Sequence, residues 1–184
     1  MEILRPSQDH LESYKSALIQ EISSGSAAYI ELAQRYLAEI EADSESFLAK
    51  QDDPSAISGD IELSDGSFVP RLPGITRWMW DGQVCGEINF RWSVGTTDLP
   101  PYVLGHIGYE VFSWKRNQGY ASEALRQMLH EARKIEMPFV ELTTDVDNFF
   151  SQKVIMNNGG VLHEKFVKPA VHGGTDGLRF RIYL

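Results

Sequence analysis

VFSWKRNQGYASEALRQMLHEAR, residues 111–133, holds the change of pattern on which the reading of this chain turns. Within it Ala121, Ala124, Leu125, Met128, Leu129 and Ala132 recur at helical spacing and form one apolar stripe, which predicts a helix over 120–134. Directly ahead of it Arg116, Gly119 and Ala121 are spaced RxxGxA, behind an extended run from His106 to Phe112. The first turn of a helix has amide groups without intrahelical partners and the positive end of the helix dipole. Gly119 and Ala121 leave room for a phosphate to approach those amides, and Lys115 and Arg116 add positive charge, an arrangement suited to a diphosphate. The other common anion loops, GxxxxGK followed by Ser or Thr and GxGxxG, are missing from the sequence.

Working outward, Pro138 stops the helix and Phe139–Thr144 reads as a strand parallel to 106–112, making a βαβ unit. A short helix from about 149 ends at Gly159 and Gly160, and Val161–Val167 and Leu178–Leu184 are closing strands. Toward the N-terminus, Ile75–Trp80 and Val84–Trp92 flank Asp81-Gly82, a hairpin signal. Residues 2–5 predict a short strand, Ser7 a helix N-cap, and Leu11, Tyr14, Leu18 and Ile22 the apolar face of the helix that follows. Gly25 interrupts before a second helix from about 27, with Ile30, Ala33, Leu37 and Ile40 on one face. The expected fold is α/β, a mixed, mostly antiparallel sheet with helices on both faces, in one domain spanning 1–184.

The 184 residues carry a formal charge of −9, which excludes the basic footprint of a nucleic-acid binder. The imbalance is concentrated in 39–65, where Glu39, Glu41, Asp43, Glu45, Asp52, Asp53, Asp60, Glu62 and Asp65 face one base, Lys50. That stretch reads as a solvated helix face and loop, with attraction of a cationic substrate as the alternative. The opening MEILRPSQDH lacks the apolar core of a signal peptide and no window approaches a membrane span, so a soluble, cytoplasmic protein without a membrane partner is expected. Cys85 is the only cysteine, which fits a reducing compartment and reads as buried core. His163 and His172 come with no further ligands at metal-binding spacing, so no metal is expected.

GHIGYEV (105–111), RNQGYASEALRQML (116–129) and DNFFSQKVIMNNGG (147–160) together resemble the GNAT family of acyl-CoA N-acyltransferases, in order and in spacing. The resemblance extends over essentially the whole chain and implies an acyl-CoA-binding core at about 75–184. It implies acetyl-CoA as co-substrate, an amine of a small molecule or protein as acceptor, and direct attack in a ternary complex. Homodimers also occur in that family. Position by position, Val111, with Phe112 and Ser113, resembles the strand that pairs with the pantetheine arm. Arg116, Asn117, Gln118, Gly119, Tyr120 and Ala121 resemble the pyrophosphate loop, and Asn148 and Ser151 a pair contacting the pantetheine or the phosphates. Ile155 stands where many members carry the tyrosine that protonates the departing thiolate. The alternative that this departure leaves open is an acyl-CoA-binding sensor or regulatory module with reduced catalysis.

An alkyl amine has a pKa of about 10.4 and must lose a proton before attack, so a base is required. Strand alternation puts His106, Gly108 and Glu110 on one face, which makes His106 and Glu110 the base candidates, directly or through water. A hydrogen-bonded strand-end histidine and a structural ion-pair partner are the competing readings of the two. Glu87 and Arg91 share a parity and read as a solvated strand face or as a lining of the acceptor side. Trp78, Trp80 and Trp92 read as core or as a frame for a cationic acceptor.

Overall fold

A computed structural model describes residues 1–24, 27–63 and 66–184. The interruption expected at Gly25 lies outside the described residues. In chain order the elements are β1 (Glu2–Leu4), α1 (Gln8–Ser24), α2 (Ala27–Ala42), α3 (Ser44–Gln51), β2 (Asp52–Asp53), β3 (Ile61–Glu62), β4 (Phe68–Val69) and β5 (Gly74–Trp80). There follow β6 (Val84–Arg91), β7 (Ile107–Val111), α4 (Tyr120–Arg133), β8 (Phe139–Asp145), α5 (Phe149–Asn157), β9 (Val161–Val167) and β10 (Asp176–Tyr183).

The strands form one sheet in the order β1-β5-β6-β7, with β2 also on β5, a second in the order β8-β10-β9, and a small β3-β4 hairpin. Every pairing among the described residues is antiparallel. Because side chains alternate along a strand, neighbours on β5 serve opposite layers. Trp78 is buried under α1, α2 and α3 with Tyr14, Tyr29, Ala33 and Phe47, whereas Met79 joins Ile88, Phe90, Leu125, Met128 and Ile155 beneath α4 and α5. The α/β architecture with helices on both faces is therefore the one expected.

The βαβ unit needs correction. Strands β7 and β8 flank α4, but β8 belongs to the second sheet, and the two strands splay apart. They are tied at one end: the His106 amide donates to the Glu141 carbonyl at 2.7 Å, and the Glu141 amide donates to His106 Nδ1 at 2.9 Å. Gly105 permits this approach, since a Cβ there would stand 2.9 Å from the Glu141 carbonyl oxygen. The acidic stretch also differs from a bare loop. Asp43 caps α3 by accepting from the Ser46 amide, Asp52 pairs with Arg5 and Arg77, and Asp53 accepts from the amides of Ile57 and Ser58. At the start of α1, Ser7 Oγ bonds the His10 ring at 2.9 Å. No helix among the described residues is long and apolar enough to cross a membrane.

Candidate active site

The loop ahead of α4 has the backbone that its sequence predicts. Asn117 and Gly119 both have positive φ, 63° and 78°, and Gly119 is the N-cap of α4 without a side-chain cap. Glycine adopts the left-handed region freely and asparagine more readily than most residues. Glu123 gives its amide to the Gly119 carbonyl and closes the first helical turn. The amides of Tyr120, Ala121 and Ser122 are left without an acceptor among the described residues, as a helix start requires. Asn117, Gln118 and Gly119 are exposed, and Tyr120 and Ala121 partly so. A phosphate can thus reach the amides from solvent.

Beside this loop runs an open strand edge. Strand β6 pairs along only one side of β7, and the Phe112 amide donates to the Cys85 carbonyl at 3.0 Å. Antiparallel alternation therefore directs the backbone groups of Gly108 and Glu110 to β6 and those of Tyr109 and Val111 outward, into the gap before β8. Arg116 caps part of that edge: its Nε donates to the Val111 carbonyl at 3.1 Å and its Nη2 to Glu110 Oε1 at 2.6 Å. Asn148 is the N-cap of α5 and accepts from the Ser151 amide at 3.0 Å. The Ser151 hydroxyl in turn meets the Tyr109 hydroxyl at 2.8 Å, which joins the start of α5 to β7. Tyr109 is held protonated, its pKa pushed up to about 12 chiefly by burial.

Other expected positions have different partners. Phe112 is fully buried under α1 and α2, and Ser113 gives both its amide and its hydroxyl to Glu21 at 2.8 Å. Neither amide is left for a ligand. Lys115 is bound to Asp81 at 2.6 Å, and Tyr120 donates to the same oxygen at 2.7 Å, tying the β5–β6 turn to the anion loop. Burial alone would raise the Asp81 carboxyl, but these two bonds bring it below its usual value. The buried Glu21 and the linking Asp81 escaped a reading of the motif alone, because each acts from a distant element.

His106 precedes β7 and is fully buried between the sheets, its Nδ1 already accepting from Glu141. Burial lowers its pKa to about 4, so the ring is neutral at physiological pH and closed to solvent. Alternation had put it beside Glu110, but the chain turns toward β8 at this residue. Glu110 lies half-buried on the face under α1 and α2, and burial raises its carboxyl despite the opposing bond from Arg116. Glu87 and Arg91, read as a solvated strand face or as a lining of the acceptor side, differ from a solvated face: Glu87 is buried and Arg91 half-buried. Glu87 accepts from the hydroxyls of Tyr14 at 2.7 Å and Tyr29 at 3.2 Å, and burial raises its carboxyl. Trp78 is stacked on Tyr14, Trp80 meets the His10 ring and Trp92 is stacked on Phe90, which makes all three packing residues. Cys85 donates to the Met79 carbonyl, and burial pushes its thiol up to about 11. It is core, as expected.

These features place a helix start with unpartnered amides beside an open β edge. The family model described as the GNAT acetyltransferase domain matches residues 72–161, which include β7, the loop and α4. Residues 72–161 are thus similar to a GNAT acetyltransferase domain. That family is one of acyltransferases, which supports acyltransferase chemistry at this cleft. No curated sequence relative is matched. Among solved structures, the microcin C7 self-immunity acetyltransferase MccE, in complex with acetyl-CoA and AMP, is similar at 14% identity and a TM-score of 0.65, over 99% of this chain and 91% of that one. The RimL ribosomal L7/L12 alpha-N-protein acetyltransferase, in complex with CoA, aligns at 14% identity and a TM-score of 0.62, over 99% and 93%. The acetyltransferase-like yncA of Salmonella typhimurium, with acetyl-CoA, aligns at 13% identity and a TM-score of 0.59, over 100% and 93%. At these identities the likeness is one of fold.

Proposed function

We propose that this single GNAT-like domain transfers an acetyl group from acetyl-CoA to an amine. The observation that carries the reading is the row of unpartnered amides at Tyr120, Ala121 and Ser122 behind a left-handed Gly119, beside the open edge of β7. The helix start holds the pyrophosphate, with Asn117, Gln118 and Arg116 around it. The pantetheine arm lies along Tyr109 and Val111 in the gap toward β8, within reach of Asn148 and Ser151. An outward amide of β7 polarises the thioester carbonyl and stabilises the oxyanion that forms on attack.

Glu110 is the base in this reading, because its raised carboxyl is half-exposed on the face opposite α4. His106, buried and pinned, holds the two strands at their joined end instead. The amine nitrogen attacks the thioester carbon, the C–S bond breaks, and the nitrogen's proton passes to Glu110 directly or through water. Products are the amide and free CoA thiol. Ile155 is buried apolar surface and supplies no proton. A thiol of pKa about 8.5 leaves tolerably as thiolate, and the protonated Tyr109 hydroxyl is the donor available on β7.

Calorimetric titration with acetyl-CoA, CoA and adenosine diphosphate tests the cleft before any acceptor is known. Micromolar acetyl-CoA affinity, much weaker for the diphosphate, is expected. Absence of binding refutes the reading. Binding without amine-dependent thiol release would instead assign a sensor or regulatory module.

A further inference from the structure

On the side of the first sheet away from α4, a cavity of about 770 Å³ is walled by α2, α3, the β3–β4 hairpin and strands β5 and β6. The bases on its wall other than Arg91 are matched: Lys50 and Arg35 share Glu39, and Arg71 pairs with Asp53, while Asp60 and Glu62 line the side formed by the β3–β4 hairpin. Arg91 is different. Its Nη2 donates to Asn89 Oδ1 at 2.7 Å, its buried Nε has no hydrogen-bond partner, and no carboxylate lies within ion-pairing distance among the described residues. The acids that share its face are engaged elsewhere, Glu87 by Tyr14 and Tyr29 and Glu110 by Arg116. A buried guanidinium without a counter-charge is unfavourable, and burial accordingly disfavours its charged form.

Gly108 on β7 gives the guanidinium its place. A Cβ at this position would stand 3.0 Å from Arg91 Nη2 and 3.2 Å from Asn89 Oδ1, tighter than ordinary contact, so the pair would have to shift by a few tenths of an ångström to admit it. Arg91 thus lies against the strand backbone one residue from Tyr109, whose own backbone groups face the gap on the other side. An anion bridged to Arg91 is held close to the reacting edge.

We propose that this cavity receives an acceptor bearing a carboxylate close to its amine, an amino acid or a small derivative, and that Arg91 binds that carboxylate. Arg91 presents a planar fork matched to the two carboxylate oxygens, and Asn89 fixes the plane. The inference rests on the acetyl-transfer reading above and differs from the alternative, raised by the acidic stretch, of a cationic acceptor.

The test is thiol release from acetyl-CoA by the full chain, with each of the twenty amino acids set beside its carboxamide and its decarboxylated amine, and with phosphoethanolamine as a phosphate-bearing amine. The expected result is kcat/KM for at least one amino acid roughly 10- to 100-fold above its carboxamide, from one charge-assisted contact. In Arg91→Gln that gap closes while acetyl-CoA affinity, measured by calorimetry, stays within about twofold; Arg91→Lys restores part of it. Equal rates for acid and carboxamide, preference for phosphoethanolamine, or no turnover of any amino acid by protein that binds acetyl-CoA each overturn the carboxylate proposal alone. Failure to bind acetyl-CoA overturns both readings. Should Arg91→Gln fail to fold, the acid-to-carboxamide ratio in the unaltered protein decides.

Discussion

Replacing Gly119 by alanine separates the cost of a left-handed residue from the cost of losing an anion site. Gly119 has φ 78° and ψ 2°, and a Cβ there would meet nothing within 4 Å, so Gly119→Ala is opposed by backbone strain and not by a clash. That strain is about 1–2 kcal/mol. For a domain of this size it lowers Tm by about 2–8 °C. If the loop relaxes by rotating φ, the amides of Tyr120 and Ala121 swing away from the phosphate, and each charge-assisted bond lost removes about 1.5–3 kcal/mol. Loss of one bond raises the acetyl-CoA Kd roughly 10- to 150-fold. Gly95→Ala is the control, since Gly95 also has positive φ, 76°, and open space, but sits in the loop ahead of β7. Thermal melts of both variants should shift alike, whereas calorimetry should find weakened acetyl-CoA binding only in Gly119→Ala. Equal Kd values in the two variants would refute the assignment of the pyrophosphate to this helix start.

Arg116→Glu puts a carboxylate beside Glu110 and uncaps the Val111 carbonyl; acetyl-CoA affinity should fall at least about tenfold, with the circular-dichroism spectrum unchanged. Glu87→Leu leaves the buried hydroxyls of Tyr14 and Tyr29 without their acceptor, a loss of about 2–6 kcal/mol in urea unfolding, and an unchanged midpoint would contradict it. His106 titrates near 4 in the folded chain and near 6.5 unfolded. The unfolded ring therefore binds a proton that the buried one refuses, so stability declines as pH falls from about 6.5 to about 4, by on the order of 3 kcal/mol. Urea midpoints across that range should lose this slope in His106→Gln. Asp81 has the opposite chemistry and the same direction: its lowered carboxyl adds stability above the ordinary carboxylate range and loses it as pH falls further. Asp81→Asn should cost about 1–3 kcal/mol at neutral pH and flatten that acid limb.

Legibility in the sequence followed the range of the interactions. Helix α4 and its loop were readable because the stripe from Ala121 to Ala132 and the spacing of Gly119 are local. The β5–β6 hairpin was readable from Asp81-Gly82 for the same reason. Period-two alternation placed Glu87 and Arg91 on one face of β6 but could not say what covers it, since Tyr14 and Tyr29 come from helices far back in the chain. In 39–65 a count of charges hid the work of individual carboxylates, among them the Asp43 cap that starts α3. The separation of β7 from β8 was illegible because it is decided by β10, which pairs with β8 from the far end of the sequence. The base candidates share that limit: His106 turns toward Glu141, a partner that alternation along one strand does not contain.

An unpaired strand edge is also a template for another chain. Apart from the Val111 carbonyl, which Arg116 caps, the gap between β7 and β8 leaves two such edges unpaired among the described residues, and an extended segment of another chain is the competitor they invite. A pantetheine arm lying in the gap would occupy those hydrogen-bonding groups and remove the template. Colloidal stability on storage, and the yield of soluble protein during expression, would then rise with acetyl-CoA supply, before any acceptor is present and independently of turnover.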